Sequence, residues 1–396
     1  MRRRVVVLGG AGAMGRITLG DLRDTARDLE PVLCDRDPGA ARALGVEGRR
    51  VDVTDARALR RALSGAFAVI ASLPYRFNLE AMRGALAARA HYVDLGGLFH
   101  VTREQLRLGG AFEEAGRLGL LGMGSAPGIL NVLAVRAAEG LERVREVHCM
   151  VGAAERGRRP HGDEDGDALG FGYSPDTLLD EFLLDAAVFR AGDWAMVPPL
   201  DPRERVRVRF PAPIGAQTLD ATLHSEVATL PRAFADRGVR EVTFRQSFEP
   251  GFAERLRLLG RLGLLDPAPL PRLGVAPRQV LLALLARQAP PAPNGAGERH
   301  EVLRVVVRGR RARRAVEVTA DCLAGPDAGG GVGPDIDTGA PPSIAVQLLA
   351  SGELEARPGV WAPEDVVPVR PFLRELERRG MRVRVRRRAA APAAAR

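Results

Sequence analysis

The first forty residues combine short apolar runs, a glycine-rich turn and an amphipathic segment. Residues 4–8 form an apolar run of strand length, and the glycine-rich stretch 9–15 follows at once. Apolar residues then recur with helical spacing over 17–22, and a second apolar run at 31–34 ends at Asp35. The order of strand, glycine turn, helix, strand and acid predicts a dinucleotide-binding βαβ unit.

Each glycine of the turn has a predicted physical task. Gly10 permits the tight turn out of the strand, Gly12 lets the backbone approach a pyrophosphate, and Gly15 lets the helix pack close to the strand. Ala13 and Met14 belong to the same predicted site, because the free N–H groups and positive dipole end of a helix start face the phosphates. A domain of this kind that has lost its ligand is the alternative.

The acid at the end of the second strand bears on the choice of cofactor. Asp35 lies about twenty residues beyond the last glycine, where a carboxylate accepts both ribose hydroxyls. A carboxylate there repels a 2′-phosphate, which favours NAD, but Arg36 comes next and is able to pair with that phosphate, which leaves NADP open. Asp52 and Val53, on a short strand predicted at 51–53, are expected beside the adenine.

Alternating strands and helices continue to about residue 140. In a doubly wound parallel sheet, ligands bind beyond the carboxyl ends of the strands, so the loop 72–75 should approach the nicotinamide half of the cofactor. Strands are predicted at 66–71, 91–95 and 118–123, and helices at 55–63, 78–90, 105–117 and 128–140. The residues at the carboxyl ends of these strands are Ser72, Leu73, Pro74, Asp94, Met123, Gly124 and Ser125.

Beyond residue 140 the apolar runs indicate a different sheet. The acidic run 161–167 lacks the closing glutamate of an EF-hand loop, so it predicts a polar loop and not a calcium site, and 289–297 predicts a Pro/Gly-rich surface loop. Strands are predicted at 144–152, 206–210, 217–230, 239–248 and 302–319, and helices at 174–190, 252–264, 277–287, 343–351 and 371–379.

The charge of +9 comes entirely from arginine, since the chain contains 58 basic residues and no lysine. The absence of lysine excludes a lysine Schiff base and a Walker-type phosphate site. Two clusters carry much of the excess: 308–314, predicted as the exposed turn of a hairpin, and 382–388, predicted as a frayed, solvated end. Neither contains an aromatic residue, which argues against nucleic-acid binding.

No apolar run approaches the ~20 residues that a bilayer-spanning helix needs. The N-terminal residues show no secretory signal pattern, and the three cysteines, Cys34, Cys149 and Cys322, are far apart and odd in number. They predict reduced core residues of a cytoplasmic protein, without metal-ligand spacing.

Several short motifs, taken in order and spacing, resemble the saccharopine dehydrogenase-like oxidoreductases, a family that includes lysine 6-dehydrogenase. No single motif is diagnostic, but together they cover most of the chain. They are the glycine turn, residues 72–74, 92–97, 124–128 with Asn131, 173–174 with Leu178 and Glu181, 224–226 with 229–231, 338–339, and 359–360 with 363–364.

The resemblance implies an α/β protein with two domains. A doubly wound Rossmann domain (1–125) would precede a mixed α/β substrate and dimerisation domain (126–335), and C-terminal helices (336–380) would return to the first domain before a basic, flexible tail (381–396). It also implies a homodimer or higher homo-oligomer. The residues that match the nicotinamide side of the cleft in the family are Ser72, Leu73, Asp94, Met123, Gly124 and Ser125.

One segment departs from the family pattern. Saccharopine-forming relatives carry a Lys-Thr-x-Arg-Tyr-Pro-Gly-His stretch that helps to hold the substrate, whereas residues 244–252 here retain only Pro250 and Gly251 of its distinctive positions. The departure favours a smaller amino acid, or a different amine, over saccharopine.

The reaction implied is hydride transfer at a carbon that bears nitrogen, which also requires a proton acceptor. Asp94 is the first candidate, with capping of the following loop as its alternative role; Tyr75 and His100 are weaker candidates. His224 is a further candidate, although a hydrogen-bonded sheet residue is the better interpretation. Candidate substrate contacts are Glu181 and Glu226 for an ammonium group and Arg245 for an α-carboxylate, each with a surface role as its alternative.

Three hypotheses follow for the function. The first is a lysine 6-dehydrogenase-like enzyme that deaminates an amino acid or amine through an imine. The second is a reductase that joins an amine to a carbonyl, as in saccharopine or carboxynorspermidine formation. The third is a dinucleotide-binding protein without catalysis. All three involve a small molecule and neither nucleic acid nor membrane.

Overall fold

The first of two sheets is parallel and carries the predicted cofactor turn. The computed structural model describes residues 2–156, 174–248, 251–285, 287 and 298–390. Within these residues the sheet has the strand order β3-β2-β1-β4-β5-β6-β15. Its strands are β1 (Arg3–Leu8), β2 (Leu29–Asp35), β3 (Glu47–Arg50), β4 (Ala68–Ala71), β5 (His91–Asp94), β6 (Leu118–Leu120) and β15 (Gly359–Trp361).

The second sheet is mixed and follows the first along the chain. Within the described ranges its main order is β10-β11-β12-β7-β13-β14-β16, and β8 pairs with β12 and β9. Its strands are β7 (Arg143–Arg156), β8 (Ala186–Arg190), β9 (Asp193–Val197), β10 (Val206–Arg209), β11 (Ala216–Ala221), β12 (Glu241–Ser247), β13 (Glu298–Arg311), β14 (Arg314–Ala324) and β16 (Arg382–Ala389).

Helices pack against both sheets. In the first half of the chain they are α1 (Ala13–Thr25), α2 (Ala40–Leu44), α3 (Ala56–Leu63), α4 (Asn78–Ala87), α5 (Phe99–Leu106), α6 (Gly109–Glu114), α7 (Ile129–Ala138) and α8 (Pro175–Leu183). In the second half they are α9 (Glu226–Ala233), α10 (Phe252–Arg261), α11 (Pro277–Leu285), α12 (Ala328–Gly331), α13 (Ile336–Gly339), α14 (Pro341–Ser351), α15 (Pro363–Val366) and α16 (Val369–Arg378). Short 3₁₀ turns occur at Tyr75–Phe77, Pro202–Glu204 and Ala235–Arg237.

The strands of the first sheet are buried on both faces, as their continuous apolar sequences predict. Residues 5–8 of β1 and 68–71 of β4 are at most 1% exposed. The order β3-β2-β1-β4-β5-β6 is that of a doubly wound dinucleotide-binding sheet. The predicted fold class, a Rossmann sheet with a second mixed domain, is therefore confirmed.

The C-terminal segment returns to the first sheet. β15 pairs in parallel with β6, and the Thr18 hydroxyl on α1 donates to the Gly339 carbonyl at 2.7 Å. Arg379 forms an ion pair of 2.6 Å with Asp21, also on α1. The described elements thus follow the predicted return, while the exact domain limits stay predictions.

Several elements differ from the sequence prediction. The helix predicted over 174–190 ends at Leu183 and gives way to β8, and the strand predicted over 217–230 ends at Ala221 before α9 begins. The helix predicted over 105–117 is two helices, and the third strand of the first sheet is β3, which precedes the predicted 51–53. At 174–190 and 217–230 the sequence prediction assigns an apolar run to one element, although apolar periodicity alone does not separate a short strand from a short helix.

The prediction of a flexible tail is wrong for 382–388, because these residues form β16. The strand pairs antiparallel with β14. Its arginines are matched to acids on β14: Arg386 contacts Asp321 at 3.1 Å and Arg388 contacts Glu317 at 2.6 Å. Opposite charges on neighbouring strands stabilise this mostly basic strand.

Some predictions concern residues outside the described ranges, namely the loops at 161–167 and 289–297, Tyr173, Pro250 and the last six residues. The predicted hairpin is confirmed, but its turn is only residues 312–313, because β13 runs to Arg311 and β14 begins at Arg314. All three cysteines are free and buried. None of the helices in the described ranges is both long and apolar enough to cross a membrane.

Candidate functional site

The turn between β1 and α1 is built around a glycine that the motif did not single out. Gly9 has a φ of +73°, and a Cβ at this position would lie 2.1 Å from the Ser72 carbonyl oxygen. The tight turn predicted for Gly10 therefore depends on Gly9, which only glycine suits. Gly10 is needed for packing instead, because a Cβ there would lie 2.8 Å from Leu33 Cγ.

The start of α1 lies directly against this turn. A Cβ on Gly15 would be 2.4 Å from the Gly9 carbonyl oxygen and 2.7 Å from Gly10 Cα. The helix begins after Gly12, and no described side chain accepts a hydrogen bond from its first N–H groups. By contrast, Asp55 caps α3 and Ser174 caps α8. Ala13 and Met14 thus present N–H groups that no described side chain caps, which suits a pyrophosphate, whereas Gly12 N donates to the Gly9 carbonyl at 3.1 Å.

Asp35 holds the glycine turn in place at the end of β2. Its Oδ2 accepts a hydrogen bond from Ala11 N at 3.1 Å, and its Oδ1 accepts one from Asp37 N at the same distance. Arg36 is exposed beside it, and Asp52 is exposed in the turn after β3. Hydrogen bonds from Thr54, and secondarily the nearby Arg36, lower the pKa of Asp52. Asp35 and the exposed Arg36 therefore flank the predicted ribose position. Val53 is half-buried nearby.

The loops after β4 and β6 meet at the same edge of the sheet. Ser72 N donates to the Leu8 carbonyl at 2.9 Å, which places the half-exposed segment Ser72, Leu73 and Pro74 against the glycine turn. After β6, Met123 is buried, and Gly124 N donates to the Pro127 carbonyl at 2.8 Å. Ser125 is half-buried, and its hydroxyl lies 2.9 Å from that of Thr338 on α13.

Asp94 has a structural environment, which favours its alternative role, while its role as the catalytic acid stays a prediction. Its carboxylate is 0% exposed and accepts four hydrogen bonds, from Tyr92 Oη, Gln105 Nε2, Gly96 N and Gly122 N, at 2.6–3.0 Å. A carboxylate has about four acceptor positions, and all are used. Asp94 therefore joins the loops after β5 and β6, which is the capping role weighed as its alternative. Burial raises its pKa.

Tyr75 links the first sheet to α8. Its hydroxyl donates to Asp180 Oδ2 at 2.7 Å, and Arg278 on α11 contacts the other oxygen of Asp180 at 2.6 Å. Burial and the Asp180 contact raise the pKa of Tyr75. This environment disfavours the phenolate and argues against Tyr75 as a base. His100 packs edge-on against Tyr75 with a centroid distance of 5.9 Å, and burial lowers its pKa.

Three of the predicted site residues lie close together beside the second sheet. His224 Nδ1 lies 2.7 Å from Glu226 Oε2, and His224 Nε2 lies 3.8 Å from Glu181 Oε1. His224, Glu226 and Glu181 are 8%, 0% and 2% exposed. We call these three residues the His224 cluster. His224 follows β11 instead of lying within a strand, so the sheet-residue alternative is wrong.

The surroundings of the His224 cluster determine its charge. The imidazole stacks on Phe244 at a centroid distance of 3.8 Å, and Gln246 Nε2 donates to Glu181 Oε2 at 2.8 Å. Burial disfavours the imidazolium, but the nearby Glu226 and Glu181 outweigh it, so the pKa of His224 is raised. Glu226 Oε1 has no hydrogen-bond partner among the described residues. The sequence did not single out Gln246 as a contact.

Arg245 is not part of this cluster, and its contacts argue against its predicted role at a substrate carboxylate, which stays untested. Neighbouring side chains of a strand point to opposite faces, which separates Arg245 from Phe244 and Gln246. Its guanidinium donates to the Glu204 carbonyl at 2.8 Å, contacts the Glu204 carboxylate at 3.1 Å and donates to Thr243 Oγ1 at 2.6 Å. It is thus committed to protein groups.

A second acid, Glu364, lies close to this region. The sequence predicts it only as part of a family motif and not as a site residue. Asn131 Nδ2 donates to Glu364 Oε2 at 2.7 Å, while Glu364 Oε1 has no partner among the described residues. Burial, followed by the adjacent Asp365, raises the pKa of Glu364 to about 7. α9 packs against α5 and α15, so the His224 cluster lies where the two sheets meet.

Comparison with known proteins agrees with this architecture. The saccharopine dehydrogenase NADP binding domain model matches residues 5–120, and the saccharopine dehydrogenase C-terminal domain model matches residues 124–381. The chain belongs to the saccharopine dehydrogenase family. It carries the NAD(P)-binding domain of that family, and the open glycine turn described above fits the cofactor.

Two relatives show how far the similarity extends. Carboxynorspermidine synthase of Vibrio alginolyticus is 24% identical over 292 residues, which cover 70% of this chain and 63% of that enzyme. The chain thus matches less than two thirds of the length of this relative. An apo saccharopine dehydrogenase (L-Glu forming) from Saccharomyces cerevisiae is 19% identical, with a TM-score of 0.73 over 98% of this chain and 100% of that one. This similarity shows the shared fold.

Proposed function

We propose that the chain is a NAD(P)-dependent oxidoreductase that acts on a carbon–nitrogen bond of an amino acid or amine. The observation that carries this proposal is the His224 cluster, in which two buried glutamates flank one histidine. Buried carboxylates favour a cationic partner, and a protonated amine supplies one. Family membership supports the same class of reaction.

Each part of the chain has a task in this proposal. Gly12, Ala13, Met14 and Asp35 would hold the pyrophosphate and ribose of the cofactor, which supplies hydride transfer when it is bound. Glu181 and Glu226 orient the amine through their negative charge. His224 exchanges a proton with the water that hydrolyses the imine.

The first candidate reaction is oxidative deamination of the lysine 6-dehydrogenase kind. The second is reductive joining of an amine and a carbonyl, which the similarity to carboxynorspermidine synthase favours. The commitment of Arg245 to Glu204 also favours a substrate that does not need this guanidinium for an α-carboxylate. A dinucleotide-binding protein without catalysis is the remaining alternative.

The test is a panel of amines and diamino acids with NAD and NADP, followed by absorbance of the reduced cofactor and by ammonia release. Oxidative deamination predicts both signals from a single amine. Reductive joining predicts oxidation of NADH or NADPH only when amine and aldehyde are both present. Cofactor binding without turnover under every condition would contradict the proposal and support the third alternative.

The choice between NAD and NADP has its own test. Asp35 favours NAD, and the exposed Arg36 is available to a 2′-phosphate. We expect Asp35→Ser to raise the affinity for NADPH relative to NADH, because it removes the repelling charge, and Arg36→Ala to lower it. Fluorescence titration with both reduced cofactors measures the ratio. An unchanged ratio in both variants would contradict this assignment.

We also propose that the protein is cytoplasmic and self-associates. The three free cysteines support a reducing compartment. Self-association is supported by a group of exposed apolar side chains. Light scattering of the native protein and of the double variant Leu262→Asp with Leu273→Asp would test it. Equal masses would contradict self-association through these side chains. The group consists of Leu258, Leu262, Leu270, Leu273, Val275, Val280 and Leu284.

A further inference from the structure

Two acidic side chains outside the His224 cluster lie close together. Asp337, on α13, is 2% exposed, and Glu301, on β13, is half-buried. Asp337 Oδ2 has no hydrogen-bond partner among the described residues, and Glu301 is close enough to raise the pKa of Asp337 by repulsion, second to burial. Two ionised carboxylates repel each other and lack a donor between them, so this arrangement favours a proton shared by the two groups.

The neighbouring groups do not neutralise the pair. The nearest arginine, Arg299, forms a 2.9 Å ion pair with Asp335. Asp335 adds negative charge, and the nearby Cys322 thiol is buried. Burial is the largest cause that raises the pKa of both Asp337 and Glu301. Repulsion from Glu301 raises the pKa of Asp337 further, and repulsion from Asp335 raises that of Glu301.

Hydroxyl groups connect this pair to the predicted nicotinamide edge of the first sheet. Thr338 Oγ1 donates to Asp337 Oδ1 at 3.1 Å and lies 2.9 Å from Ser125 Oγ. The next residue, Gly339, packs on α1 so closely that a Cβ would lie 2.5 Å from Ile17 Cγ2. α13 is therefore fixed against the helix that begins at the cofactor turn.

The pair also lies on the same face of the second sheet as the His224 cluster. Gln246, which contacts Glu181, is opposite Val151 in β7, and Val151 is opposite Leu303 in β13. Glu301 is two residues from Leu303 and so points to the same face. Gln246 lies on β12 and Glu301 on β13, with β7 between them. Two strand spacings, roughly 10 Å, therefore separate these two strands, a distance that a small substrate spans.

We propose that the Glu301–Asp337 pair stores a proton and exchanges it with the substrate nitrogen through Thr338 and Ser125. This inference rests on the proposed function. During oxidation the substrate N–H bond breaks and its proton goes to Ser125 Oγ, the Ser125 proton goes to Thr338 Oγ1, and the Thr338 proton goes to Asp337. The pair then holds two protons and releases one to water through half-buried Glu301. During imine reduction the same steps run in reverse.

The stored proton is tested first without cofactor or substrate. Infrared difference spectra at neutral pH should show that Asp337→Asn and Glu301→Gln each lose a protonated-carboxyl C=O band that the native protein has. Glu298→Gln is the matched control, since Glu298 is an exposed glutamate of the same strand, and it should keep the band. A native spectrum equal to that of Asp337→Asn in this region would overturn the proposal.

The route is tested with Thr338, which tolerates small changes because it is half-buried. Thr338→Val should lower kcat about a hundredfold, the lower range for a lost proton transfer, with cofactor affinity unchanged, and Thr338→Ser should retain kcat within a few-fold. Native kcat in Thr338→Val would overturn the route. If the native protein turns over no amine or imine, the proposed function fails and the route with it, while the infrared band still decides whether the pair holds a proton.

Discussion

A methyl group added at position 15 sets two opposing effects of known size against each other. In a helix, alanine is more stable than glycine by about 1 kcal/mol. At Gly15, however, the new Cβ would meet Gly9 O at 2.4 Å and Gly10 Cα at 2.7 Å. Both are backbone atoms, so no side-chain rotation relieves the contact, and overpacking of this kind costs about 1–3 kcal/mol.

We therefore expect Gly15→Ala to lower the free energy of unfolding by up to about 2 kcal/mol. It should also weaken cofactor binding about tenfold if about 1.4 kcal/mol of the overpacking cost reduces the binding of the pyrophosphate at the glycine turn. Gly20→Ala is the matched control in the same helix, because a Cβ there meets nothing within 4 Å. It should raise stability by about 0.5–1 kcal/mol and leave binding unchanged.

Urea unfolding and fluorescence titration with NADH and NADPH measure both quantities for the two variants. The comparison isolates the contact with the turn, since helix propensity changes equally in both. Gly15→Ala with the stability and affinity of Gly20→Ala would refute the close approach of α1 to the glycine turn.

Three further perturbations test other parts of the molecule. Glu226→Gln should lower the pKa of His224 in an NMR titration; because that pKa is raised in the native protein, the pair's contribution to stability is present below about pH 6.5 and is lost as the pH rises through the folded value. Asp180→Ala should destabilise the protein by about 2 kcal/mol in urea unfolding, since it removes the acceptor of Tyr75 and one charge partner of Arg278. Deletion of residues 382–396 should expose the edge of β14 and increase aggregation in light scattering. Unchanged values in any of these measurements would contradict the corresponding contact.

The sequence predicted the first sheet better than the second for a physical reason. Buried parallel strands are continuous apolar runs separated by helices, and the βαβ unit from β1 to Asp35 has a fixed glycine spacing. Around 174–190 and 217–230, by contrast, an apolar run continues across a strand–helix boundary, and only tertiary packing decides where it divides. Local sequence patterns do not predict the pairing of β16, because its partners on β14 are about 65 residues away along the chain.

The candidate site was predicted in part for a similar reason. Residue type and motif order brought forward His224, Glu226 and Glu181, which do meet. Motif order does not show that the Asp94 carboxylate is already saturated by protein donors. It also does not show that Arg245 occupies the opposite face of its strand from Gln246.

The position of β15 has a consequence for the order of assembly. Residues 359–361 form the outermost strand beside β6, although the other six strands of that sheet come from the first 120 residues. During synthesis, the first sheet is therefore complete only after nearly the entire polypeptide has emerged and its last strand has docked. A ribosome stalled before that point carries an open β6 edge, which is a natural site for chaperone capture.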